Sequence, residues 1–346
     1  MRRGGRERQL SLLCHYNSGI NHHIIAFHKT RENYVYEYNL KVSFTGRRIK
    51  RFSVINNYVK NEKIDLIHTW GNSETIYALP IAKLNSIPLL NGSIRHGIRN
   101  NTLSQKFRTV VLQHSYYILG NSYAGFYANK IKIKKKKHFV LYNGIEEKFF
   151  TGFCTERRSI INKEKNLDNK SIVFVSIANF VPYKDYYTPI LALSQLKDEG
   201  LSFHYFIIGK GPMLNEISNL ISEKNLTDNI SIFSDNPDIP YLLSVSDIMI
   251  HSSLGEGCSN AILEGSAAGL PVIASNTGGT KEIINTYCSL FEYKNINDLK
   301  EKILKTKNLL ITTPDLRSKI MSITRERFSV KSFVNNYKEI INKILK

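Results

Sequence analysis

Short apolar runs rich in β-forming residues alternate with helix-period stretches along the chain, the pattern of parallel α/β layering. In the first half the runs lie at 64–68, 87–90, 117–120 and 139–142, and Asn143-Gly144 closes the last with a turn signal. A polar stretch at 155–170 follows, rich in Lys, Glu, Arg and Asn with little to bury. It reads as the link between two domains or a peripheral helix near that link. The second half predicts strands at 171–177, 203–208, 230–233, 248–251 and 271–274. Helices are expected at 185–197, 214–223, 241–243 and 260–268, and the chain is helical by period from Asp298 on. Phe328, Phe333, Tyr337, Ile340, Ile341 and Ile344 fall roughly on one helical face. The plainest expectation packs that last helix on its own domain; a return to the N-terminal domain is the alternative.

At 346 residues the chain is too long for one ordinary domain and comfortable for two, expected at 1–165 and 166–346. A hydrophobic content of 42% lets each half bury a core. The four cysteines, Cys14, Cys154, Cys258 and Cys288, form no C-x-x-C pair. That argues against a zinc site or a disulfide framework and fits a reducing compartment. The N-terminus Met1-Arg2-Arg3-Gly4-Gly5 has no apolar stretch behind it, so no signal peptide is visible. No apolar run approaches the ~20 residues of a membrane-spanning helix. A cytoplasmic protein follows, soluble or peripheral on the inner face of the cytoplasmic membrane. The formal net charge of +19 predicts attraction to an anion: nucleic acid, an acidic membrane face or a phosphorylated substrate. The densest basic run, Lys130 to His138, is either a solvated loop or a contact for anionic lipid. No RNA-binding aromatic motif, zinc finger or recognition helix accompanies it, which disfavours nucleic acid.

The most informative stretch is Gly255-Glu256-Gly257-Cys258-Ser259-Asn260-Ala261-Ile262-Leu263-Glu264-Gly265, between a predicted strand and a predicted helix. Glycines and small residues before a helix let backbone N–H groups approach an anion, and the helix N-terminus adds partial positive charge. Glu256 and Glu264 bracket this diphosphate-type site, and carboxylates suit hydroxyl pairs of ribose or sugar.

Six blocks in order extend the pattern. They are Ala178-Asn179-Phe180-Val181-Pro182-Tyr183-Lys184-Asp185, Ile207-Ile208-Gly209-Lys210-Gly211-Pro212, 247–253, the E-x7-E segment, 268–275 and Thr277-Gly278-Gly279-Thr280-Lys281-Glu282. Together they resemble the donor-binding domain of family 4 retaining glycosyltransferases (glycosyl transferases group 1), which have the GT-B fold. The resemblance implies two Rossmann-like domains facing a central cleft, with a nucleotide sugar as donor substrate and no resident cofactor. By the same resemblance Lys184 would contact the donor diphosphate, Glu264 the ribose hydroxyls and Glu256 the hydroxyls of the transferred sugar. Backbone groups of Cys258, Ser259 and Asn260 would lie near sugar and phosphates, and Gly209 would line the cleft beside the nucleotide. Asn179 stands where the family often has an arginine, which shifts phosphate neutralisation toward Lys184, the helix end or a cation elsewhere. Retention is usually described as front-face attack in which the leaving phosphate helps take the acceptor proton. Stabilising the departing diphosphate is then the main demand.

The first half resembles the family's acceptor-side domain more loosely, through Gly4 to Leu10, Asp65 to Thr69, Asn121-Ser122 and Tyr142 to Ile145. Gly4 and Gly5 would form the glycine loop that follows the family's first strand. The chain is therefore expected to lack that normally interior strand, through a late start site or truncation, leaving ladder groups on its neighbours unpaired. His96, after a predicted strand, is the first-half candidate to face the sugar as a third catalytic residue, and Arg95 a candidate phosphate or acceptor contact. No D-x-D triplet is present, in keeping with a metal-independent reaction. The expected function is transfer of a hexose-type sugar from a UDP- or GDP-sugar to a glycan or lipid-linked acceptor. The resemblance suggests surface polysaccharide or lipopolysaccharide synthesis. The competing readings are a nucleotide-sugar epimerase of the same architecture and a basic nucleic-acid-binding protein.

Overall fold

A computed structural model describes residues 4–27, 40, 42–46, 48–97, 103–134, 137–234 and 237–346. The chain divides into two compact units, Met1–Gly144 with Val330–Lys346, and Ile145–Ser329. The boundary expected at 165 is thus some twenty residues late, and the second domain does not run to the C-terminus.

Unit 1 begins with α1 (Gly5–Tyr16), β1 (Ile24–Ala26), β2 (Val42–Phe44) and α2 (Arg51–Asn61). It continues with β3 (Ile67–Thr69), α3 (Asn72–Leu84), β4 (Leu89–Ile94), α4 (Leu103–Gln113), β5 (Tyr117–Gly120), α5 (Tyr123–Ala128) and β6 (His138–Val140). Its strands form two parallel pieces, β1-β2 and β3-β4-β5-β6. Among the described residues no strand joins them. One helix spans both pieces: Ile55 and Val59 of α2 pack with Ile25 of β1 and Ile67 of β3. Strand β4 is buried at every position, and its Asn91 is satisfied by donating to Ser115 Oγ at 2.9 Å and accepting from the Ser93 amide at 3.1 Å.

The terminal helix, Val330–Leu345, belongs to unit 1. Phe333, Val334, Tyr337, Ile340, Ile341 and Ile344 bury their stripe against Leu13, Trp70, Leu90, Leu119 and Leu141. Packing on its own domain is therefore overturned: an apolar face fixes that a helix must dock, not which surface receives it. Phe328 does not share this face; it is buried in unit 2 at the end of the preceding helix, which closes at Ser329. Gln9 ties α1 to the end of the unit's first chain segment, donating to Gly144 O at 2.9 Å and accepting from Gly144 N at 2.7 Å.

Unit 2 contains α6 (Thr155–Glu164), β7 (Ile172–Ile177), α7 (Tyr187–Asp198), β8 (Phe203–Ile208), α8 (Leu214–Glu223), β9 (Ile230–Phe233) and α9 (Ile239–Val245). After these come β10 (Ile248–His251), α10 (Asn260–Ala267), β11 (Val272–Ser275), α11 (Thr280–Ile283), β12 (Ser289–Phe291), α12 (Ile296–Thr312) and α13 (Leu316–Phe328). Its six strands run in parallel in the order β12-β11-β10-β7-β8-β9. The central strands are buried almost throughout and mostly apolar because helices cover both faces. Phe174, Phe203, Tyr205, Ile207, Ile250 and Ile273 share one core cluster with Ile190 and Leu193 of α7 and Ile217 and Ile221 of α8.

The polar stretch at 155–170, expected as a link or as a peripheral helix near it, contains the helix α6, a member of unit 2. A buried charge anchors it where an apolar stripe would have been legible. Arg158 donates from Nη1 to Asp247 Oδ2 at 2.6 Å and to Val245 O at 2.8 Å, and from Nη2 to Ser171 O at 2.8 Å. Asp247 Oδ2 also accepts from the Val173 amide at 2.8 Å, while Arg317 of α13 donates to Asp247 Oδ1 at 3.2 Å and to Ser246 O at 2.7 Å. One carboxylate thus joins two helices to the central strands. Asp247→Ala would leave two largely buried guanidinium groups without their counter-charge, a loss of about 3–5 kcal/mol. A urea unfolding midpoint that drops accordingly, with Asp247→Asn intermediate, is the expected outcome.

Candidate active site

In unit 2 the strand order reverses direction at β7, so the crevice beyond the carboxyl ends of β7 and β10 is the topological switch point, where parallel α/β sheets place ligands. The segments leaving these two strands are fastened to each other. Asp185 N donates to Ser252 O at 3.1 Å and Leu254 N to Tyr183 O at 2.9 Å, giving an antiparallel bridge between Lys184 and Ser253. Ser252 Oγ donates to Asp185 Oδ2 at 2.9 Å, and Asp185 Oδ1 accepts from Thr188 N at 3.1 Å at the start of α7.

This clamp buries Lys184 and brings its Nζ into an ion pair with Glu256 Oε1. Burial pushes the Lys184 amine down to about 7. The ammonium form at neutral pH therefore depends on a negative neighbour. His251, the last residue of β10, lies beneath the pair, with Nε2 3.7 Å from Glu256 Oε2 and 3.4 Å from Ser259 Oγ. Complete burial, and then the Lys184 charge, hold His251 well below its ordinary range, so the imidazole is neutral. Ser259 is the N-cap residue of α10, yet its hydroxyl makes no cap bond there.

Neighbouring backbone fixes the segment that carries Glu256. Gly279 N donates to Glu256 O at 2.8 Å, and Gly278 sits at φ 53°, where an added Cβ would strike Glu256 O. Ser275 Oγ and Thr277 Oγ1 both donate to Ser253 O, at 2.8 and 2.7 Å. On the other side the turn after β8 presses against the turn after β7: Phe180 N donates to Lys210 O at 3.0 Å, and a Cβ on Gly209 would collide with Ala178 O. Gly209 is thus fixed by close approach of backbone.

Of the residues singled out from the sequence, Lys184, Glu256, Cys258, Ser259, Asn260, Glu264, Gly209 and Asn179 all fall in unit 2 on segments leaving the carboxyl ends of β7, β8 and β10. Glu264 is buried inside α10, as are Cys258 and Ser259 before it, while Asn179 is exposed. Four others lie in unit 1. Gly4 is the N-cap residue and Gly5 the first residue of α1. His96 is exposed just beyond β4. Arg95 lies 4.1 Å over the Trp70 ring and donates from Nε to Gly92 O at 3.0 Å. Sequence reasoning missed His251 and the Asp185–Ser252 hook. The only signal for His251 was one polar residue closing an otherwise apolar strand.

Residues 157–327 match the family model of glycosyl transferases group 1. The chain is 25% identical over 293 residues to the Escherichia coli UDP-Gal:alpha-D-GlcNAc-diphosphoundecaprenol alpha-1,3-galactosyltransferase, covering 78% of this chain and 74% of that enzyme. It is 23% identical over 279 residues to the Bacillus anthracis N-acetyl-alpha-D-glucosaminyl L-malate synthase, 79% of this chain and 68% of the relative. Anabaena HepE in complex with UDP and glucose superposes with a TM-score of 0.81 over 98% of this chain and 96% of that one, at 17% identity. Fold and site thus define a glycosyltransferase of the GT-B fold. Through residues 157–327 the chain belongs to the glycosyl transferases group 1.

Gly278→Ala tests the fixing of Glu256. Strain at the positive φ and the collision with the Glu256 carbonyl should lower stability by about 1–3 kcal/mol. Transferase turnover should fall by more than the remaining folded fraction explains; turnover that tracks folded protein would deny the glycine its role.

Proposed function

We propose that the chain is a retaining glycosyltransferase that moves a hexose-type sugar from a UDP- or GDP-sugar to a glycan or lipid-linked acceptor, in surface polysaccharide or lipopolysaccharide synthesis. The observation that carries the reading is the ion pair of buried Lys184 with half-buried Glu256 at the switch point, with Glu264 buried in the helix that follows. The Escherichia coli relative's name specifies a UDP-sugar donor and a diphosphoundecaprenol-linked acceptor, and HepE was solved with UDP and glucose.

On this reading the donor diphosphate replaces Glu256 as the anionic partner of Lys184. Charge develops on the leaving diphosphate as the glycosidic bond breaks, and a cation already desolvated and held in place stabilises it without reorganisation. Glu256, released from the amine, accepts hydrogen bonds from hydroxyls of the transferred sugar. Glu264 takes the ribose hydroxyls, and the amides of Cys258, Ser259 and Asn260 at the start of α10 meet the phosphates. The acceptor attacks the face the diphosphate leaves, and a phosphate oxygen takes its proton, so no strong protein base and no metal is required. Asn179, Gly4, Gly5 and Arg95 are supporting contacts to donor and acceptor, and His96 is the proposed unit 1 contact to the transferred sugar.

A panel of UDP- and GDP-sugars assayed by thermal stabilisation tests the reading, since a ligand bound only to the folded state raises the melting temperature. One nucleotide class should stabilise the protein, and no shift with any donor would sink the proposal. Glu264→Ala should weaken donor binding at least about ten-fold, or about 1.4 kcal/mol, in a calorimetric titration while the fold is kept.

The Lys184 amine gives a pH signature. Donor phosphodiester charges do not change near neutrality, whereas the free protein's amine begins to lose its proton near pH 7. Donor binding favours the charged amine, so affinity should fall as pH rises from 7 toward 9. Lys184→Arg, always protonated, should flatten that profile.

A further inference from the structure

The positive charge of this protein belongs to one unit. Unit 1 holds 28 lysines and arginines against 7 aspartates and glutamates, a net +21, whereas unit 2 holds 20 against 22, a net −2, together the chain's +19. Between Glu74 and Glu146 the sequence contains no acidic residue. The nucleotide-sugar reading needs cations in unit 2, so it does not account for this asymmetry.

The densest part of that charge sits on a defined surface. Tyr127 of α5 is 69% exposed, Tyr116 before β5 59%, Tyr123 45% and Ile133 37%. Lys130, Lys132 and Lys134 are exposed in the segment after α5, and Lys137 Nζ lies 4.2 Å from the Tyr116 ring centroid. The segment is anchored to the fold. Lys130 N donates to Tyr127 O at 2.9 Å and Ile131 N to Phe126 O at 3.1 Å, and the Ile131 side chain packs against the core of Ile94, Leu112, Ile118 and Phe126. Lys134 N donates to His138 Nδ1 at 2.8 Å. The Lys137 amine and the Tyr116 ring are therefore presented together, and the exposed lysines at 130–134 stand on anchored backbone.

We propose that this surface docks unit 1 on an anionic lipid bilayer, a conclusion that deepens the reading of a lipid-linked acceptor and rests on it. Lysines at a membrane face are drawn to anionic headgroups within a Debye length, and tyrosines settle at headgroup depth with the ring toward the acyl chains and the hydroxyl in water. Ile133 adds an aliphatic contact at the same level. A single-stranded nucleic acid would need open ring faces for base stacking. The Tyr116 ring is instead engaged by the Lys137 amine and packed edge-on against Tyr117 at 4.7 Å.

The full chain should cosediment with vesicles of phosphatidylcholine containing phosphatidylglycerol and not with phosphatidylcholine alone. Replacing Lys130, Lys132, Lys134 and Lys137 by serine should weaken that binding at least about ten-fold, and Tyr116→Ser with Tyr127→Ser should remove the part that persists in high salt. Binding unchanged in both variants, or tighter to an RNA homopolymer than to anionic vesicles, would overturn the proposal. Hydrogen exchange of the unsubstituted protein needs no variant: vesicles should protect residues 116–134, and protection confined elsewhere rejects the surface. Stabilisation by UDP- or GDP-sugar is followed in the same samples. Donor stabilisation without vesicle binding defeats this inference alone, and vesicle binding without donor stabilisation defeats the donor reading.

Discussion

The fastening of the β7 and β10 exit segments is the constraint on which the site depends. Two parallel strands cannot bring their following loops together by themselves, because each chain turns away toward its own helix. Here backbone bonds between Asp185 and Ser252 and between Leu254 and Tyr183 hold them, and the Ser252–Asp185 hook locks the same carboxylate to the start of α7. Lys184 and Glu256, far apart in sequence, become one ion pair as a consequence. The glycines at 209 and 278 serve the same arrangement from either side, by letting neighbouring backbone come closer than a side chain would permit.

Buried charge does two different jobs in unit 2. Asp247 is surrounded by donors from Arg158, Arg317 and the Val173 amide, so its charge is matched on every side and the assembly is structural. Lys184 has a single carboxylate partner, and burial already pulls the amine toward neutrality. A cation so poorly compensated is ready to exchange one anion for another, which the saturated Asp247 cluster is not. Neutral His251 under Glu256 adds a polar neighbour without adding charge.

The two units differ as sharply in electrostatics as in sheet continuity. Among the described residues unit 2 has one unbroken six-stranded sheet and unit 1 has its strands in two pieces, while unit 2 is nearly balanced in charge and unit 1 carries the whole positive excess. In unit 1 helix packing takes over part of what strand pairing would do: α2 covers both pieces, and the terminal helix closes another core cluster with a stripe of six buried side chains. A chain that leaves unit 1 at Gly144 and returns at Val330 makes the folding of that unit depend on residues at both ends of the sequence.

The sequence by itself marked most strands of unit 2, because the central ones are buried on both faces and read as mostly apolar runs; it did not mark β12, three residues at the sheet edge. The glycine-rich segment after β10 and its two carboxylates were likewise legible, since glycines, small residues and carboxylates are local in order. The sequence left α6 open between a link and a peripheral helix, because its anchor is a buried arginine rather than a stripe. Nor could it assign the terminal helix, since amphipathicity states only that a partner exists. The Lys184–Glu256 pair, His251 beneath it and the Asp185–Ser252 hook were likewise decided by tertiary structure alone. Each joins residues whose proximity comes from strand order, and strand order is set by which sheet edges pair in the folded chain.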